Sequence, residues 1–317
     1  MIINSLMASV MLAAALMPSG PGTMTVTPRQ PGTETFQAEM PGEEIQVEGT
    51  ELVMLPSVNG AQSLSAIIST ENGEVVVVDG GWDSDGDNLA DHIGNRGGYV
   101  NAWLVTHPHP DHAGALWHIL KNRRDEVDIE KIYYSFGTSD WYWEVSPGDA
   151  PFIDVLMYEL STLPEDVICD TIGRGYEIDL GAVHITVMND RYELDSDPVN
   201  NSSIAYMVDA GRKKVLFLGD MGYDGGYRLL EDAEADLKAD FVQVAHHGQN
   251  GVDKEVYEAI GARTFLWPTP KWLWDNDNGG GRDSGPWDTM TTRDWAKKMG
   301  IKRNYATKDG PIMLRLD

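Results

Sequence analysis

Between residues 106 and 112 the chain reads Thr-His-Pro-His-Pro-Asp-His. Four side chains that bind divalent metals, His107, His109, Asp111 and His112, fall within six positions. The run before them, residues 99–105, alternates and is rich in β-formers. The run after them, residues 113–120, spaces its apolar residues as a helix does. The cluster therefore belongs on a tight strand-to-helix loop. On extended backbone, His-x-His puts two imidazoles on one side, and the Asp-His pair that follows can turn toward a second ion. Two prolines stiffen the loop and reduce the entropy lost on ordering it. Imidazole and carboxylate suit a divalent metal such as zinc, and this density of ligands separates the segment from an ordinary His-bearing surface turn.

Further ligands must come from later loops, and three places offer them. Leu216-Phe217-Leu218-Gly219-Asp220 is an apolar strand ending in a carboxylate able to bridge two cations. The segment from Phe241 to Ala245 is another strand, running into His246-His247-Gly248. Asn200-Asn201-Ser202-Ser203 stands just before a third. Asp79 closes the run Val75–Val78, where a carboxylate can orient the loop or a ligand histidine from behind. Taken singly, each has a plain alternative, a turn carboxylate or a solvated His pair. Their recurrence at strand ends is what argues for a site. His184 sits inside a strand-like run and reads as structural, and His92 and His118 read as helix residues. Asp83-Ser84-Asp85-Gly86-Asp87 fails the calcium-loop pattern at Asn88 and Gly94. It reads as a helix-entry loop with Asp87 as a cap.

With 317 residues and 42% hydrophobic content the chain can bury a sizeable core. Its formal net charge of −26 argues against a general electrostatic grip on nucleic acid. The single cysteine, Cys169, excludes an internal disulfide framework and a cysteine-rich zinc site. Residues 1–17 contain an apolar, Ala-rich core of signal-peptide length, too short for a membrane span. On that reading the protein is secreted or held at the cell surface; otherwise it is cytoplasmic. Residues 18–45, rich in Pro, Thr and Gly, read as a flexible tether, and residues 46–317 as the folded domain. Hairpins alternating with helices there predict central sheets with helices outside. Residues 137–150 read as irregular, and a helix is expected from Tyr227 to Leu237. Trp141, Tyr142 and Trp143 fall in one insertion and Trp267, Trp272, Trp274 and Trp287 in another, where they either pack beneath their own loops or contact a substrate.

The ensemble of the His-x-His-x-Asp-His element, Asn-Asn-x-Ser (200–203), Leu-Gly-Asp (218–220) and His-His-Gly (246–248) resembles the metallo-β-lactamase fold superfamily. Within it, the details are similar to the metallo-hydrolase domain of DNA-uptake channel proteins of the ComEC/Rec2 type and to choline-phosphate esterases. The resemblance implies a four-layer αββα sandwich with a dinuclear site at one edge of the paired sheets. It also implies two divalent ions, with zinc expected and manganese as the alternative. By position, His107 and His109 hold the first. Asp111, His112 and one of His246 or His247 hold the second, and Asp220 bridges. Here His246 is assigned as the ligand, with Asp111, Asp220 and His247 as the catalytic group. The chain departs from the superfamily at the third histidine of the first ion. Asn201 is assigned to that place, with Asn200 behind it; an amide oxygen is the weaker donor and favours a harder ion. The expected activity is hydrolysis of a small-molecule or polymer phosphoester through a metal-activated water. The alternatives are a β-lactamase or lactonase, or a non-catalytic surface or uptake protein.

Overall fold

The computed structural model describes Gly42 and residues 45–317. The expected signal peptide and nearly all of the tether lie outside the described residues. The first half of the described chain supplies β1 (Thr50–Met54), β2 (Ser65–Thr70), β3 (Val75–Asp79), β4 (Tyr99–Val100), β5 (Ala102–Leu104), β6 (Asp128–Ile129), β7 (Ile132–Tyr133) and β8 (Ile168–Cys169). The second half supplies β9 (Glu177–Asp179), β10 (His184–Val187), β11 (Tyr206–Asp209), β12 (Lys214–Phe217), β13 (Phe241–Gln243), β14 (Thr264–Trp267), β15 (Arg303–Ala306) and β16 (Ile312–Arg315). They form two seven-stranded sheets, in the orders β16-β1-β2-β3-β5-β7-β8 and β15-β14-β13-β12-β11-β10-β9. Strands β4 and β6 pair separately. Each sheet is antiparallel on one side and parallel on the other: β3, β5, β7 and β8 run parallel in the first, β12 to β15 in the second. The last strand, β16, returns to pair antiparallel with β1.

Alternation along the strands explains the layers. Val76 and Val78 of β3 pack inward with Ile185, Tyr206, Val215 and Phe217 of the other sheet. Their neighbours Val75 and Val77 point outward onto helices α1 (Gly86–Gly94), α2 (Pro110–Asn122) and, beyond α3 (Ser139–Val145), α4 (Ala150–Ser161). The second sheet is covered likewise. After the short α5 (Pro198–Asn201) come α6 (Tyr223–Ala233), α7 (Lys254–Ile260), the short α8 (Lys271–Trp274) and α9 (Thr289–Lys298). Leu229, Val256 and Ala296 of α6, α7 and α9 pack on Leu216, Val242 and Phe265. The result is a four-layer αββα sandwich with the sheet–sheet core at its centre. No helix among the described residues is long and apolar enough to cross a membrane.

Two expected elements differ. Residues 137–150 are not all irregular, because Thr138 Oγ1 accepts from the Trp141 N–H and starts α3. Tyr142, the side chain that makes this turn worth burying, is fully buried, and its hydroxyl accepts from the Gly137 N–H at 3.1 Å. Helix α6 begins at Tyr223, four residues earlier than its apolar spacing suggests, and runs through Gly225 and Gly226. These glycines are positions of close approach. A Cβ on Gly226 would stand 2.9 Å from Val252, and one on Gly225 only 2.5 Å from Asn201 Oδ1.

Candidate metal centre

All the loops that carry expected ligands leave the sheets at one edge. Asp79 ends β3, the 106–112 loop follows β5, Asp220 follows β12 and the His-His pair follows β13. Backbone strain concentrates there: Asp79, His246 and His247 are non-glycine residues with φ of 56°, 50° and 53°. Such left-handed positions persist only where the surroundings over-determine them. At Gly219 (φ 57°) the two halves approach closely, since a Cβ there would meet Thr106 at 2.8 Å and Ser203 Oγ at 2.9 Å. Buried Gln243 pins the same loop. Its Oε1 accepts from Leu218 N–H, and its Nε2 donates to the carbonyls of Gly219 and Val244.

The centre itself has two donor sets. In one, Asp111, His112, Asp220 and His247 are all buried, with their ligand atoms within 4.8 Å of one another. Asp220 Oδ2 lies 3.1 Å from His112 Nε2 and 3.2 Å from His247 Nε2, while Asp111 Oδ2 lies 3.2 Å from His247 Nε2. In the other, His107 Nε2 and His109 Nδ1 face each other at 3.0 Å. Supporting groups fix each ring. Asp79 Oδ2 is 2.7 Å from His112 Nδ1 and also accepts from the Thr106 hydroxyl, while its Oδ1 accepts from Thr106 N–H. The Pro268 carbonyl is 3.0 Å from His247 Nδ1. Asp149 Oδ2 is 3.4 Å from His109 Nε2. Gln62 Nε2 donates to Asp111 Oδ2 and its Oε1 accepts from Gln249 Nε2, tying the two halves together across the rim.

The electrostatics suit a cation. Burial, helped by the neighbouring rings of His112 and His109, holds His107 well below the usual imidazole range. Burial works the same way on His112 and His247. There the carboxylates of Asp220 and Asp111 outweigh it, aided by Asp79 at His112; His112 is held well above its ordinary value and His247 is raised to about 9. Burial likewise opposes ionisation of Asp220, but the His112, His247 and His246 rings overcome it and hold its carboxyl well below the usual range. The carboxylates of the centre thus favour positive charge between them, as a divalent cation would supply. One observation tests the fit: Asp220 Oδ1, Asn200 Oδ1 and His246 Nδ1 are buried with no hydrogen-bond partner. Buried orphan acceptors cost about 1–3 kcal/mol each, and a carboxylate oxygen and an amide oxygen are both metal donors. The residues present fit a divalent cation.

A family model described as the metallo-beta-lactamase superfamily matches residues 58–299. The chain belongs to the metallo-beta-lactamase superfamily. Among solved structures it is similar to the metallo-beta-lactamase fold protein YhfI from Bacillus subtilis, at 13% identity and a TM-score of 0.50, covering 84% of this chain and 99% of that one. It is also similar to CmlA, a diiron beta-hydroxylase from Streptomyces venezuelae, at 13% identity and a TM-score of 0.53, covering 85% of this chain and 55% of that one. At such identities the metallo-beta-lactamase likeness speaks to the fold. No curated protein matches the chain.

Within this metallo-beta-lactamase frame, His107, His109, Asp111, His112 and Asp220 come together as expected residues of one centre, with Asp79 behind His112. The histidine pair is used differently from the assignment made on sequence. His247, not His246, joins Asp111 and His112, because the left-handed turn at 246–247 points its Nε2 between the two carboxylates. His246 Nε2 stands 3.8 Å from Asp220 Oδ2 and 3.5 Å from Asn200 Nδ2. The Asn201 assignment is corrected. Asn201 Oδ1 accepts from the N–H groups of Gly222 and Gly225, and its Nδ2 donates to the Ser196 carbonyl, so it anchors the start of α6 and has no lone pair aimed at the centre. Asn200, assigned behind it, is the amide that turns toward His246, its Nδ2 held by Asp197 at 3.0 Å. His184 lies on β10, half-exposed beside Glu177. The helix-entry cap is also corrected: buried Asp85, which accepts from Ser57, Val58 and Trp82, holds that loop, while Asp87 is at the surface with Arg123 and His118. Asp149 and Gln62 carried no motif. The only signal for Asp149 was its place before the helix-starting Ala150-Pro151.

Proposed function

We propose that this protein is a metal-dependent hydrolase of phosphoesters, most naturally phosphodiesters, with two divalent ions sharing Asp220. The observation that carries the reading is the split character of that carboxylate. Its Oδ2 serves the Asp111–His112–His247 set, its Oδ1 is buried without a partner, and its charge also acts on the rings of His107 and His109. In this reading His107, His109 and Asp220 would hold one ion, with His246 and Asn200 as further candidate donors. Asp111, His112, His247 and Asp220 would hold the other. Bound divalent ions in such a site lower the pKa of a water toward neutrality and stabilise charge developing on phosphoryl oxygens. The protein groups do the positioning. Asp79 fixes the tautomer and direction of the His112 ring, Asp149 does the same for His109, and Gln62 holds Asp111 in place. An amide in place of a third imidazole makes the first set harder, which favours manganese beside zinc. The resemblance to DNA-uptake and choline-phosphate-esterase enzymes supports a phosphoester over a lactam or lactone.

The test is elemental analysis followed by hydrolysis of bis-(p-nitrophenyl) phosphate with zinc and with manganese. About two ions per chain and turnover are expected. Asp220→Ala should lose one or both ions and all turnover. Asp111→Asn should lose about a hundredfold or more in kcat/KM, roughly 3 kcal/mol of transition-state stabilisation, with circular dichroism unchanged. A parent protein that binds metal yet cleaves no phosphoester would replace this reading with a binding protein.

A further inference from the structure

On a chain with a net charge of −26, one region is basic. Two adjoining depressions of about 580 and 600 Å³ share Gly300, Ile301 and Lys302, on the flank where α7, α9 and the start of β15 meet. Six cations line them: Arg263, Arg282, Arg293, Lys297, Lys302 and Arg303. The two acids in the lining are engaged elsewhere, Glu258 with Lys254 at 3.0 Å and Asp294 with Lys298 at 2.6 Å. Nearby Asp275 is paired with Lys271, and its charge also acts on Arg282 and Arg293 without an ion pair to either. None of the six forms an ion pair among the described residues. Elsewhere pairing is the rule, as with Arg123, Arg124, Lys213, Lys214 and Arg228.

The cluster is also built rather than merely exposed. The Arg293 guanidinium lies 4.2 Å over the Trp274 ring and donates to the Trp274 carbonyl at 2.8 Å. It is half-buried, close enough to Arg282 for the two charges to disfavour each other. Like charges gathered in a concave, partly desolvated place raise the local concentration of an anion. Trp274 is engaged by Arg293 and by Trp267, its ring 5.2 Å away, so it offers no free face for stacking a base. Charge alone is on offer, and it runs across both depressions. Trp267 lines one of the depressions, and its buried ring packs beneath the loop of His247: a Cβ on Gly248 would stand 2.7 Å from it.

We infer that this cleft binds a linear chain of phosphate groups, along the back of the loop that carries His247. The inference goes beyond the proposed hydrolase activity, because binding here needs neither metal nor turnover. The shared chemistry is the phosphate chain, and its source is either bare polyphosphate or the backbone of a single-stranded nucleic acid. The test is fluorescence anisotropy on the full-length, metal-loaded protein, with labelled oligothymidylate and with unlabelled inorganic polyphosphate as competitor. The variant is Lys297→Glu/Lys302→Glu/Arg303→Glu, all three exposed; the control is Arg212→Glu/Lys213→Glu on a different surface turn.

At about 50 mM salt the parent should bind. The logarithm of its affinity should fall with that of salt at a slope of about −3 to −4, as expected for four to six phosphate contacts at roughly 0.7 each. The cleft variant should bind at least about tenfold more weakly, with an unchanged circular dichroism spectrum, and the control should bind like the parent. Polyphosphate competing more strongly than unlabelled oligothymidylate identifies bare polyphosphate as the source, and weaker competition identifies the nucleic-acid backbone; no competition at all would overturn the inference, because the cleft offers charge alone. Absence of binding by the parent, or equal losses in the cleft variant and the control, would overturn the inference. Loss of turnover with binding intact would overturn only the hydrolase reading.

Discussion

At the scale of single residues, the centre separates groups placed to hold a metal from groups that hold those groups still. Asp79 belongs to the second kind. Asp79→Asn keeps the size and tolerates the left-handed backbone, but it weakens the anionic partner of His112 Nδ1. Loss of such a partner typically costs 10–100-fold in metal affinity, so titration against a competing chelator should show a drop of about that size with the fold intact. The adjacent amides give a paired prediction. Asn201 satisfies three backbone groups, so Asn201→Ala should lower stability by roughly 2 kcal/mol in urea unfolding, the order of two buried hydrogen bonds. Asn200→Ala should leave stability nearly unchanged and weaken metal uptake instead. If the two variants exchange phenotypes, the assignment of these neighbours is reversed.

At the scale of elements, helix α2 is placed by a glycine. A Cβ on Gly114 would stand 2.5 Å from the backbone nitrogen of Asp83 and 2.7 Å from the Trp82 carbonyl carbon. Gly114→Ala improves helix propensity by roughly 1 kcal/mol. It should nevertheless destabilise by about 1–3 kcal/mol, because overpacking against backbone has no side chain to move aside; a thermal melt reads the sign directly. This is also where the sequence was and was not informative. Strand β3 and helix α2 could be read because their apolar residues repeat with the periods of strand and helix, and the 107–112 ligands because they are adjacent. The choice of His247 over His246 could not, because it depends on a backbone turn that puts His247 against Asp111, 136 positions away. Asn201 and Asn200 are chemically identical in sequence, and only the backbone N–H groups of Gly222 and Gly225 tell them apart. Helix α3 was missed because its stability comes from burying Tyr142, a tertiary contact with no local period.

At the scale of the whole molecule, the metal centre is a clasp. Asp111 and His112 come from the half that builds most of the first sheet, and Asp220 and His247 from the half that builds the second. A ligand that binds only the folded chain stabilises it by mass action, about 4 kcal/mol at a free concentration of a thousand times its dissociation constant. Metal-loaded protein should therefore melt roughly 8 °C or more above the chelated form, and Asp220→Ala should abolish most of that difference. A melting temperature indifferent to chelator would show that the centre binds its metal too weakly to join the halves.

The pairing of β16 with β1 carries a different kind of consequence. The first sheet contains seven strands, but one of its edge strands is separated from its neighbour by more than 250 residues of intervening chain. While the protein is being made on the ribosome, β1 to β8 emerge early, and β1 keeps a bare row of backbone donors and acceptors until residues 312–315 have been synthesised. An uncovered strand edge is a template for pairing with other chains, and partly made sheets are the species most prone to association. The synthesis of residues 312–315 thus decides whether the nascent sheet is sealed by its own strand or by a neighbour's.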